Sequence, residues 1–152
     1  MTVFLSSYTN SVDKKGRVSV PASFRAEMAP HSRQTVVAFA APKEGFIYAW
    51  SYDDFVIFAE KIKALPPMSA TRQRLARTIL AAARPLSFDS EGRIMLPEEM
   101  VKGASVGEKA LFAGQGDYFT IWNPDAYSAK LASDEDNFAE DIALLESDWD
   151  AI

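Results

Sequence analysis

Two arginines occupy positions from which a side chain can do recognition chemistry. Arg17 and Arg93 each follow a glycine in an Asp-x-x-Gly-Arg motif, at Asp13-Lys14-Lys15-Gly16-Arg17 and Asp89-Ser90-Glu91-Gly92-Arg93. The glycine relieves backbone strain in a tight turn and leaves the arginine at the end of a hairpin. From there its planar fork can grip a phosphate or a guanine edge through two parallel hydrogen bonds. Lys14, Lys15, Arg25 and Arg33 make the first motif a cluster of five cations, opposed by Asp13 and Glu27. The same spacing also allows each aspartate to brace the turn by pairing with its arginine. Both roles are compatible if the carboxylate orients the guanidinium.

Other chemistries find little material. The 152 residues contain no cysteine and one histidine, His31, which removes thiol nucleophiles and multi-histidine metal sites. General-base work would fall to carboxylates or lysines, and neither catalysis nor a cofactor is expected. Asp53 and Asp54 read as acids in the first turn of a helix, where they favour the dipole. Gly114-Gln115-Gly116 lacks the third glycine of a dinucleotide fingerprint and reads as a hairpin loop. Asp134, Asp136 and Glu140 have no glycine at the turn of a calcium loop. His31 reads as a loop residue.

The net charge of −5 argues at first sight against a polyanion partner, but it averages unlike regions. Residues 1–84 hold twelve Lys/Arg and six Asp/Glu, residues 85–132 four and seven, and residues 133–152 none and eight. A basic first half and a wholly acidic tail can face different partners. Met1 to Tyr8 shows no secretory pattern and no window is apolar enough for a membrane span, so a cytoplasmic location is expected.

The elements that would position the arginines come in two copies. Asp13 to Pro21 recurs 76 positions later as Asp89 to Pro97, and Phe46-Ile47-Tyr48-Ala49-Trp50 recurs at an offset of 72 as Tyr118-Phe119-Thr120-Ile121-Trp122. In each copy a short strand runs from the arginine to the proline. Helices over Ala22 to Met28 and Glu98 to Lys102 follow, then strands at Thr35 to Phe39 with Phe46 to Trp50, and at Ala110 to Ala113 with Tyr118 to Trp122. Ser51 and Asn123 cap the next helices, and Phe55, Phe58, Ala59, Ile62 and Leu65 form an apolar stripe. Pro66-Pro67 breaks that helix, and Ser69 caps another predicted to run to Arg84-Pro85. Arg72, Arg74, Arg77 and Arg84 read as a solvated face rather than a second polyanion-binding surface. Phe138, Ile142, Leu145 and Trp149, at spacings of four, three and four, make the acidic tail an amphipathic helix that should dock.

The doubled motif around a helical linker resembles the MraZ family over nearly the whole chain, and through it the AbrB transition-state regulators. The resemblance implies an α+β fold with a mainly β core. Its expected form is a pseudo-dimeric, swapped-hairpin AbrB-like (SpoVT-AbrB) β-barrel, with repeats at residues 5–55 and 86–131, a helical linker at 56–85 and an acidic amphipathic tail at 132–152, intertwined as one unit. It further implies a nucleoid-associated transcriptional regulator of the division and cell-wall gene cluster, assembled as a homo-oligomeric ring on repeated boxes of double-stranded promoter DNA. Residues carried over for DNA contact are Lys14, Lys15, Arg17, Arg25 and Arg93. Glu91 and Val101 depart from the basic pattern in copy two, so copy one is expected to carry most of the affinity. A competing reading is an antitoxin-like protein-interaction module with residual DNA contact, which the acidic tail favours.

Overall fold

The computed structural model describes residues 2–150, and side-chain surroundings through Ser147. The chain is α+β. Its strands are β1 (Ser7–Ser11), β2 (Arg17–Ser19), β3 (Thr35–Ala40), β4 (Ile47–Ser51), β5 (Arg84–Ser87), β6 (Arg93–Met95), β7 (Lys109–Gly114) and β8 (Phe119–Trp122). Six of them form one antiparallel sheet in the order β1-β7-β8-β4-β3-β5, and β2 pairs with β6 as a separate two-stranded ribbon. The expected closed barrel does not form. The large sheet ends in two edges, β1 and β5, and both are short and polar, which suits strands that have no further neighbour.

The pairing is two-fold in pattern. At the ribbon centre Val18 faces Ile94, its counterpart at the 76-residue offset, and at the sheet centre Tyr48 faces Thr120, its counterpart at 72. The first strand of each half crosses to the other half: β1 lies on β7 and β5 lies on β3. Between sheet and ribbon sits the main core, where Phe4, Val18, Phe24, Ile47, Ile94, Phe112 and Phe119 are essentially without solvent contact. Helices α1 (Ala22–Met28) and α4 (Glu98–Gly103) close this core, each entering from a proline at its N-cap.

Helix α2 (Tyr52–Lys63) packs on the opposite face of the sheet, against Val37 and Phe39. The caps form as expected: the Ser51 hydroxyl accepts from Asp54 N at 3.2 Å, Ser69 from Arg72 N at 3.2 Å, and Asn123 from Asp125 N at 2.8 Å. The helix begun at Ser69 stops earlier than predicted. It comprises α3 (Ala70–Leu75) and a π-helical turn (Ala76–Leu80), after which Arg84 and Pro85 belong to an edge strand. Proline is tolerated there because the pairing on one side of an edge strand needs no donor.

The C-terminal region is helical, as α5 (Pro124–Glu135) and α6 (Phe138–Asp150), but among the described side chains none of α6 docks on its own chain. Every residue from Ser128 to Ser147 is exposed. The Trp149 side chain lies outside the described residues. No helix of the described residues is long and apolar enough to cross a membrane.

Candidate nucleic-acid interface

The aspartate of each motif organises its turn. Asp13 Oδ1 accepts from the backbone N–H of Lys15 (2.9 Å) and Arg17 (2.8 Å), its carbonyl accepts from Gly16 N (3.0 Å), and Oδ2 accepts from Arg17 Nε at 2.6 Å. Asp89 repeats the set with Glu91 N (2.9 Å), Arg93 N (2.9 Å), Gly92 N (3.1 Å) and Arg93 Nε (2.8 Å). The bonds from Arg17 N and Arg93 N are the leading reason that Asp13 and Asp89 titrate below the ordinary carboxylate value. Gly16 and Gly92 carry φ of +86° and +76°, which a side chain would resist. The brace therefore exists, and it uses the Nε edge of each guanidinium.

Alternation along the ribbon decides what faces outward. Val18 and Ile94 point into the core, so Arg17, Ser19, Arg93 and Met95 share the outer face, with Arg17 opposite Met95 and Arg93 opposite Ser19. The two arginine side chains are about one-third exposed, at 34% and 28%. Ser19 and Met95 were not singled out from the sequence, although the period-two pattern around the buried pair was the available signal.

The ends of the ribbon differ in what surrounds the guanidinium. Among the described residues Arg17 pairs with Asp13 alone, through Nε. Arg93 is held twice, by Asp89 through Nε and by Glu91 through Nη2 at 3.1 Å, and the Asp89 hydrogen bond leads the causes that raise its pKa. Lys14 and Lys15 are exposed on the first turn.

The predicted cluster of five cations does not assemble. Arg25 leaves the first motif entirely: its Nε donates to the Val20 carbonyl at 3.0 Å, and its guanidinium lies over Gly92, so close that a Cβ there would come within 2.6 Å of Nη1. Arg33 stacks over the Tyr52 ring at 4.2 Å. Each turn is thus backed by the helix of the other half, turn two by Arg25 of α1, while turn one and Val101 of α4 line a common cavity. His31 is half-buried, with Nε2 3.2 Å from Thr2 Oγ1, and Asp53 accepts from the backbone and hydroxyl of Ser32, which hold it below its ordinary pKa.

Fold and site together define an α+β protein that presents a two-stranded ribbon with a carboxylate-oriented arginine near each end. The profile of the family described as "MraZ protein, putative antitoxin-like" matches residues 79–145. A protein of Rickettsia canadensis named Transcriptional regulator MraZ is 40% identical over 133 residues, covering 88% of this chain and 89% of its own. The protein of that name from Pelagibacter ubique is 41% identical over 125 residues, 82% of this chain and 81% of its own. The one from Rickettsia rickettsii is 38% identical over 143 residues, 94% and 93%. The chain belongs to the MraZ family.

Proposed function

We propose that the chain is a sequence-specific, DNA-binding transcriptional regulator of the division and cell-wall gene cluster, acting as a homo-oligomeric ring on repeated promoter boxes. The observation that carries the reading is the outer face of the ribbon: a two-stranded ribbon fits the major groove, and this one offers Arg17 and Arg93 on one side, already oriented. The names of the relatives support a role in transcription. In this reading Arg17 takes a guanine edge through its Nη groups, and Lys14 and Lys15 neutralise phosphates. Arg93 and Arg25 form a weaker second contact. The crossing of β1 and β5 between halves supports two AbrB-like repeats, residues 5–55 and 86–131, joined by the linker at 56–85 and intertwined as one unit. Association with the nucleoid follows from the binding.

A second reading, a protein-interaction module of antitoxin type, draws on the exposed acidic tail and on the family description. Gel shifts on the DNA upstream of the chain's own operon separate the two. The regulator shifts this fragment in excess nonspecific competitor, and Arg17→Ala abolishes the specific band while remaining folded. If Arg17→Ala loses thermal stability yet its folded fraction still shifts the fragment, the DNA-reading role falls.

A further inference from the structure

Two apolar surfaces away from the ribbon are open, and they match. One is α6. Phe138, Ile142 and Leu145 fall within one narrow stripe of this helix and are 66%, 38% and 59% exposed, with Asp141 and Glu146 on either flank. A 13-residue helix with nothing packed on its apolar stripe among the described residues is marginal in water.

The other surface is a groove on the outer face of the sheet, between α2 and the π-helical turn. A cavity of about 570 Å³ lies there among Phe39, Tyr48, Trp50, Phe58, Ile79 and Tyr118. Trp50 is stacked on Phe58 at 4.7 Å and on Tyr118 at 4.8 Å, and its Nε1 has no hydrogen-bond partner among the described residues. Charge is one-sided along the segment that carries the π-helical turn, whereas Glu44 stands near Tyr48, and Asp54 and Asp117 share a neighbouring pocket with Trp50 and Lys61. Residues 61–88 contain Lys61, Lys63, Arg72, Arg74, Arg77 and Arg84 and no acid, whereas residues 131–152 contain eight acids and no Lys or Arg. Lys63 and Arg84 are paired with Glu60 and Glu99; Lys61, Arg72, Arg74 and Arg77 enter no ion pair among the described residues.

We propose that α6 of one copy lies in the aromatic groove of a second copy, with Phe138, Ile142 and Leu145 against the rings and Asp141 and Glu146 facing Lys61, Arg72 and Arg74. Apolar burial holds the helix, and the opposed charges select it and set its direction. Helix and groove are different surfaces of the same chain, so the contact is head-to-tail. Contacts of that kind close into rings when the rotation between copies allows. The joint depends on no residue of the ribbon, and it rests on the proposed ring only for what assembly accomplishes.

Sedimentation of the full chain without DNA tests it. The native chain assembles; Ile142→Asp, at an exposed position, raises the dissociation constant between about tenfold and a hundredfold. The pair Arg72→Glu/Arg74→Glu weakens assembly, and mixing with copies carrying Asp141→Lys/Glu146→Lys restores it. Because the chain has no cysteine, Leu145→Cys in one copy and Thr78→Cys in a tagged copy supply the only thiols for a disulfide between copies. Arg17→Ala assembles normally, which keeps failure of the joint apart from failure of DNA reading. The proposal is overturned if the native chain sediments as one copy at every concentration. It is equally overturned if Ile142→Asp assembles like the native chain, or if a chain carrying both cysteines cross-links only within itself.

Discussion

Turn one and turn two have nearly the same skeleton and different surroundings. Their aspartates make the same set of hydrogen bonds to within about 0.2 Å, their glycines share a positive φ, and their arginines lie on one face of the ribbon. What separates them is the second acid on Arg93 and the cation that crosses over: Glu91 occupies Nη2 of Arg93, and Arg25 backs turn two rather than turn one. Charge counted along the sequence gives turn one five cations. Charge in space gives it Lys14, Lys15 and Arg17, against Arg93 and Arg25 at turn two. The asymmetry survives, reduced, and rests mainly on Glu91.

The largest expected effect is that Arg17→Ala removes specific binding to a two-box fragment, since a bidentate arginine–guanine contact is worth about 1–3 kcal/mol at each box and a multisite assembly reuses it. Arg93→Ala loses less on the same fragment. Equal or reversed losses in titrations would break the comparison. Next come the glycines: Gly16→Ala and Gly92→Ala each lose about 1–2 kcal/mol in thermal or denaturant unfolding because both are left-handed. Only Gly92→Ala also displaces the Arg25 guanidinium; a Cβ on Gly16 meets the Leu96 carbonyl at 3.1 Å. DNA affinity relative to stability therefore falls further for Gly92→Ala. Glu91→Gln frees Arg93 Nη2 and removes a negative charge near phosphates, so affinity rises by roughly three- to tenfold at low salt and the gain shrinks as salt increases.

The smallest effect concerns acid. Asp13 and Asp89 have lowered pKa values in the folded chain, so their contribution is present in full above the ordinary value of 3.8 and is lost as pH falls below it. Asp13→Asn and Asp89→Asn should each flatten the decline of stability in that window, by similar amounts, in melts recorded from neutral pH downward. Unequal flattening would show that the two turns differ in their skeleton as well as their surroundings.

Elements with a local signature were legible in the sequence. The turns, the capped helices and the strands β3, β4, β7 and β8 each announce themselves through glycine, a capping residue or alternating apolar positions. Strands β1 and β5 were not legible: Ser-Tyr-Thr-Asn-Ser carries no apolar alternation, and Arg-Pro-Leu-Ser follows helical periodicity directly. Both become strands only because a distant partner supplies the hydrogen bonds. The same holds for Arg25, whose motif assigns it to turn one while the packing of α1 delivers it to turn two. The arginines could be named from sequence, whereas their neighbours belong to tertiary structure.

The crossing of β1 onto β7 also sets an order of events during synthesis. Ser7 pairs with Ala113, so the first strand leaves the ribosome about a hundred residues before its partner exists, a wait of roughly 5–20 s at ordinary elongation rates. A strand rich in valine or isoleucine would spend that interval as a template for aggregation. This one is polar, with only Tyr8 as a large side chain, and can remain solvated until β7 arrives. The composition that hid β1 from sequence reading suits a segment that must be born early and used last.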